Sequence, residues 1–525
     1  VETSFANYDG IYIADSAGVR LVANGSTALP DAQGTFVTGF SGLAALGVSL
    51  SDGSVAFSSP RSSGGSAVYS TLGGNLGKVI STDDTLFGRT IASAQSLGVP
   101  KISGGNILFS VSHSQTSSGL YVALSEHHWD AAGGAAWDTP ANWSFDLAPR
   151  GNIPTFLDPK NGGVISGPAA TTALEALTIG ASENGIAELQ TQAAGQINVT
   201  ESITISERGR LQLGGTVTAA GGIDNRGVIA GAGQLSGELI NRETGSVRVG
   251  SGERLIVAGS ESSNTGAIDV TNGELEFTGR LTNLPSTATI TARDATLRFS
   301  ALANGGSLAI VAGTTDVHGD ITNTGTVAVS GGAAGGAQTA IFHDDFLHNG
   351  ALTVSAAGAT HSVAVFLGSF SGAGGITGGG DVFFDGDLRP GNSPVTVTYV
   401  ANVTLTGNSA ITMELGGRVE GTEYDHLTVT GDFTLGGGLE VVLFGGFTAQ
   451  AGDTFDLFDF DPALRSGDFS SITLPALAPG LTWDTSQLRT AGEIAVIPEP
   501  VCAVWIGLVP ALASFRRPPR PGRAS

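Results

Sequence analysis

Asn323-Thr324-Gly325-Thr326-Val327-Ala328-Val329 places a tight polar turn directly ahead of a short strand in which apolar residues alternate with small or polar ones. The same arrangement stands at Asp224-Asn225-Arg226-Gly227-Val228-Ile229, at Asn264-Thr265-Gly266-Ala267-Ile268-Asp269-Val270 and at His348-Asn349-Gly350-Ala351-Leu352-Thr353-Val354. Asn and Gly tolerate left-handed backbone, so they recur where a coil changes direction, and every second strand residue then points inward. The copies are separated by roughly 40, 60 and 25 residues, near-multiples of a twenty-residue rung. This predicts an all-β chain in which residues 163–496 wind as a right-handed parallel β-helix, with Val228, Ile268, Val327 and Leu352 facing the core. Stacked antiparallel sandwich domains would instead show hairpin turns at intervals of roughly 8–12 residues.

Residues 1–125 follow a different rhythm. Gly10-Ile11-Tyr12-Ile13-Ala14, Ala67-Val68-Tyr69-Ser70 and Gly119-Leu120-Tyr121-Val122-Ala123 are similar Tyr-marked strands. Between them, Val48 to Ser58 and Lys101 to Ser112 each read as a hairpin, turning at Asp52-Gly53 and Gly104-Gly105. A period of about 55 residues is a four-stranded unit, and two such units are too few to close a propeller of about four to eight blades. The expectation is a partial β-propeller-like region, with a small β-sandwich as the alternative. Residues 126–162 form a Trp-rich junction in which Trp129, Trp137 and Trp143 admit two readings. They cover the open end of the helix core as a cap, or they present flat rings as a candidate glycan platform.

Composition narrows the function classes. The net charge is −23, which repels nucleic acid and anionic membrane. The single cysteine, Cys502, leaves no disulfide or thiolate metal site for the body. Carbohydrate-cleaving β-helices gather acidic residues on neighbouring rungs beside a basic one. Here the three lysines, Lys78, Lys101 and Lys160, precede the helix body, and Arg293 and Arg298 have no acidic pair nearby in sequence. His343-Asp344-Asp345 with His348 is the richest polar cluster, with zinc as the sharp reading and a solvated loop as the plain one. His127-His128 has the same status, and Asp456, Asp459 and Asp461 read as carboxylates of a water-facing edge strand. The expectation is therefore a non-enzyme without metal or cofactor.

The end of the chain reads as an address. Pro498-Glu499-Pro500 is followed by an uncharged run from Val501 to Phe515 and then by Arg516, Arg517, Arg520 and Arg523. As a helix, that run spans about 22 Å, short of a hydrocarbon core of about 30 Å, and so suits a temporary anchor. The order of residues 497–525 resembles the PEP-CTERM sorting signal. That resemblance implies export, transient membrane anchoring through a single C-terminal apolar helix, and processing by an exosortase-type enzyme. Trp137-Asp138-Thr139-Pro140-Ala141-Asn142-Trp143-Ser144 and Pro390-Gly391-Asn392-Ser393-Pro394, with Val395 where a Gly is usual, resemble elements of autotransporter-like β-helix regions. Together these imply a structural or adhesive protein of the cell surface or biofilm matrix, with exopolysaccharide as a partner. The alternative is a polysaccharide-binding or polysaccharide-active β-helix protein.

Overall fold

The computed structural model describes residues 126–500 almost continuously, with breaks at 145–147, 150–152, 181–183, 332–335 and 392–393. Residues 10–123 are described in separate stretches, and 1–9 and 501–525 lie outside the described residues, including the apolar run, Arg516 and Arg517.

The body is a parallel β-solenoid of about 11 turns. Most coils contribute three short strands, two of which merge in Glu274–Asn283, Thr296–Asn304 and Thr314–Asn323, and each strand pairs in parallel with its counterpart one coil later. Thr216–Ala219, Ile223–Asn225 and Val228–Gly231, for example, pair with Gly233–Ser236, Leu239–Asn241 and Ser246–Val249. Parallel pairing throughout the coils excludes the stacked-sandwich alternative. Burial alternates along the strands, so one column of inward side chains runs Ile229, Val247, Ile268, Ile290, Leu308, Val327 and Leu352. Ile268, Val327 and Leu352 face the core as expected, each at most 1% exposed. Val228 does not. It is half-buried on the outer side, and Ile229 takes the inward place. Because the strand repeat is two, a one-residue slip reverses the face.

Beside this apolar column runs a column of buried amides. Asn225, Asn241, Asn264, Asn283, Asn304 and Asn323 are 0–1% exposed, and each Nδ2 donates to the Oδ1 of the next at 2.7–2.8 Å. Every Nδ2 in the series also reaches a backbone carbonyl one coil on, as from Asn304 to Thr326 at 3.0 Å. A buried amide is tolerated only when its donors and acceptors are satisfied, and the coil repeat satisfies each with its own neighbour. A glycine follows every Asn of the column except Asn283 within four residues, and close approach requires it. A Cβ on Gly266 would lie 2.2 Å from the carbonyl oxygen of Arg242, and one on Gly350 would lie 2.2 Å from that of Gly325.

Farther along, the interior fills with aromatic rings in register. Phe342 stacks on Phe366 at 4.9 Å and Phe366 on Phe384 at 5.5 Å, while Phe346 stacks on Phe370 at 5.5 Å. Such pairs add about 0.5–1.5 kcal/mol each beyond their burial. At the far end, Thr454–Asp456, Glu493–Pro498 and Leu481–Asp484 form a three-stranded antiparallel sheet. Phe455, Ile494 and Val496 extend the same hydrophobic core beneath it.

In the N-terminal stretches, both expected hairpins are present: Val48–Ser51 with Ser54–Pro60, and Lys101–Ser103 with Asn106–His113. The first continues through Ser66–Ser70 and Gly77–Ser81 as a four-stranded antiparallel meander. One face of that sheet buries Phe57 and Tyr69 with Ile11 of the Gly10–Asp15 strand, and the other buries Val68 with Ile91 and Phe109.

Candidate functional site

The three junction tryptophans are interior residues. Trp129 is 4% exposed and Trp137 and Trp143 are 1% exposed, and Trp143 meets the other two edge-to-face at 4.9 and 4.7 Å. Backbone bonds tie them to the first coil, Trp129 N–H to Phe156 O at 3.0 Å and Trp137 N–H to Ser166 O at 2.8 Å. The indole nitrogens of Trp129 and Trp143 are satisfied internally, by Gly133 O and Trp137 O. Stacking on a pyranose needs an open ring face, so these rings do not supply the glycan platform. His127, also buried, packs edge-on to Trp143 at 6.5 Å.

The polar cluster around His343 divides between two environments. His348 turns inward and accepts from Asn323 as the last member of the amide column. Asp344 and Asp345 are exposed and accept backbone N–H bonds from Gly319 and Ser369. His343 faces outward, where neighbours from the preceding coil meet it. His318 stacks on it at 4.0 Å and 12°, and Asp316 Oδ1 lies 2.8 Å from its Nε2. Burial, then the neighbouring His343 and Arg298, hold His318 below the ordinary imidazole range, so it is neutral at physiological pH and keeps a lone pair. Asp316, His318 and His343 can together offer ligand atoms to a metal ion.

This trio continues an outward polar stripe. The pairings Glu276 to Arg298 and Arg298 to His318 place those three side chains on successive coils. Arg298 Nε binds Glu274 Oε1 at 2.8 Å, and Arg254 Nη2 binds Glu276 Oε2 at 2.6 Å. The acidic partner that Arg298 lacks in its own sequence neighbourhood thus arrives from one coil back, as Asp269 does for Arg293 at 3.6 Å. Beside the stripe lies an open cleft of about 500 Å³ whose lining includes Glu253, Arg254, Glu274, Asp294 and Asp316. Of its charged groups, Arg254 pairs with Glu274 at 3.3 Å, while Glu253 accepts from Gly250 N–H and Asp294 from Thr314 N–H.

Pro498, Glu499 and Pro500, expected from the sequence to be a sorting motif, are exposed at the end of the last described strand, where Pro498 lies opposite Leu481 and Glu499 N–H donates to Gly480 O at 2.9 Å. Among the described residues, no helix is long and apolar enough to cross a membrane.

Comparisons with protein-family models, with characterised proteins and with solved structures gave no match.

Proposed function

We propose that this chain is an exported, non-catalytic structural or adhesive protein of the cell surface or extracellular matrix, in which the solenoid serves as a stiff stalk. The observation that carries the reading is the continuity of the interior, since one hydrophobic core runs from Trp129 to Val496. About 11 coils at roughly 4.8 Å each make a rod on the order of 50 Å long. The strongly acidic composition keeps such a rod soluble and apart from anionic surfaces.

In this reading the coil is right-handed, as nearly all parallel crossovers are. The N-terminal sheets are propeller-like blades, and the tail beyond Pro500 is a transient helical anchor removed by an exosortase-type enzyme. The exposure of Pro498 to Pro500 at the end of the fold supports processing there, because a protease or transpeptidase needs an accessible segment. A second reading, polysaccharide contact, is favoured by the outward stripe from Arg254 to His343 and its cleft, not by the tryptophans.

The test is to express the full chain in its bacterium and label intact cells with antibody against the solenoid. Surface labelling, with loss of matrix cohesion on deletion of the gene, is expected. Confinement of the protein to the cytoplasm would refute the proposal.

A further inference from the structure

His426 opens the strand His426–Val429, in a coil whose next turn carries Phe458–Phe460. The preceding segment doubles back, with Gly416 N–H bonded to Glu423 O and Gly421 N–H to Tyr424 O, and this brings Glu420 beside His426. Asp456, two residues before Phe458, approaches from the other side. The His426 side chain is only 7% exposed, yet neither ring nitrogen makes a hydrogen bond. Nδ1 lies 3.2 Å from Glu420 Oε1, and Nε2 lies 4.0 Å from Asp456 Oδ1, which is itself buried without a hydrogen bond.

Buried polar groups of this kind are costly to leave without partners. A gap of 4.0 Å is too long for a hydrogen bond. Two ligand atoms of a tetrahedral zinc-class ion, each bound at roughly 2.0–2.2 Å, stand about 3.4 Å apart, so a small closure of this gap would seat one. Ligand atoms of all three residues lie within 4.8 Å of one another. The local field is negative as well. Burial raises the Asp456 carboxyl, His426 pulls it down, and Glu420, Glu493 and Asp459 raise it further. An inserted cation would relieve the repulsion and give one imidazole nitrogen and Asp456 Oδ1 the partner they lack.

We infer that Glu420, His426 and Asp456 form a site for one divalent transition-metal ion near the C-terminal end of the solenoid, contrary to the expectation of a metal-free chain. An imidazole donor with two carboxylates favours zinc over calcium, which prefers a shell of six to eight oxygens. The site joins the coil bearing His426 to the one bearing Asp456, so the ion would pin the final turns of the rod. The outward trio of Asp316, His318 and His343 is a weaker candidate because His343 already has its hydrogen bond to Asp316 and all three are half-exposed.

The experiment uses the full chain stripped with EDTA and titrated with zinc chloride, following heat, bound zinc by elemental analysis and the melting temperature. The expectation is one zinc per chain that is lost in His426→Gln, weakened at least tenfold in Asp456→Asn and retained in His343→Gln, with a rise in melting temperature that depends on His426. Asp456→Asn removes a carboxylate from a crowded acidic group, so it remains informative if His426→Gln does not fold. Absence of stoichiometric zinc in the wild type overturns the inference. So does zinc binding that is unchanged in Asp456→Asn, or lost only in His343→Gln.

Discussion

Asn323 donates its side-chain amide to Nδ1 of His348 at 3.1 Å, and the imidazole passes the chain onward by donating from Nε2 to the carbonyl of Gly375 at 3.1 Å. The amide column ends here for a steric reason. A Cβ on Gly374 would sit 2.5 Å from the His348 ring, and one on Gly372 would sit 2.1 Å from the His348 carbonyl oxygen. The ring occupies space that only glycines leave open, and it fits the column only in its neutral form. Protonation would turn Nδ1 into a second donor facing the donor of Asn323.

Burial accordingly lowers the pKa of His348, with the bond to Gly375 partly opposing. Between that lowered value and the unfolded value of about 6.5, the unfolded chain binds more protons. The His348 contribution to stability is therefore complete above about pH 6.5 and is lost as pH falls through the folded pKa. Proton NMR of the ring should show a midpoint below the ordinary imidazole value, and a midpoint at or above that value would contradict the hydrogen-bond assignment.

Asp425 has the opposite sign. Burial pushes its carboxyl up to about 7, against the backbone N–H donors of Glu414 and Val395 that pull it down. Its unfolded value is about 3.9, so its contribution favours folding fully below about pH 4 and disappears as pH rises through about 7. Asp425→Asn should melt lower in acid, because an amide cannot accept both N–H groups, and should show a flatter slope across that window. An unchanged slope in thermal melts would count against the shift.

Replacing Asn264 by Ala should leave the Asn241 amide and the Asn283 carbonyl without side-chain partners. At roughly 1–3 kcal/mol for each orphaned group, the expected loss is several kcal/mol. Denaturant unfolding measures it, and a loss below about 0.5 kcal/mol would mean the amides are hydrated, not stacked.

The strand register predicts a contrast between two substitutions. Ile268→Asp buries an unpaired charge at a fully enclosed position and should cost several kcal/mol, whereas Val228→Asp, on the outer side, should cost far less. Equal losses in melting experiments would show the register to be misassigned.

The tryptophan junction gives a fifth test. Trp137→Ala together with Trp143→Ala empties two buried ring sites and should destabilise the first coils by about 3–5 kcal/mol per ring. Glycans should neither quench the wild-type tryptophan fluorescence nor be retained less by the folded variant. Glycan-dependent quenching would show that a ring is open to ligand.

The turn-and-strand copies at Asn225, Asn264, Asn323 and His348 were legible because each Asn or His is followed within two residues by Gly and then by an alternating strand. Asn241 and Asn283 belong to the same column but were hidden, since Arg242-Glu243-Thr244 and Leu284-Pro285 lengthen the turn and disguise the period. Asn304-Gly305-Gly306 was a visible copy that the wide spacing passed over. The slip at Val228 arose because Val228 and Ile229 are both apolar, so alternation alone could not choose between them. What the sequence hid most thoroughly were contacts between coils. His318 precedes His343 by the same interval as Asn323 precedes His348, so the coil register that builds the column also builds the outward trio. Asp456 likewise read as a water-facing edge carboxylate, and it is the partly buried neighbour of His426.

The central claim, an exported stalk released from its tail, is tested most directly by the intact mass of the protein recovered from the outside of the cells that make it. Processing at the exposed end of the last strand predicts a C-terminus near Pro498 to Pro500, with Arg516 and Arg517 absent. A surface-recovered chain that still carries Arg523 and ends at Ser525 would contradict it.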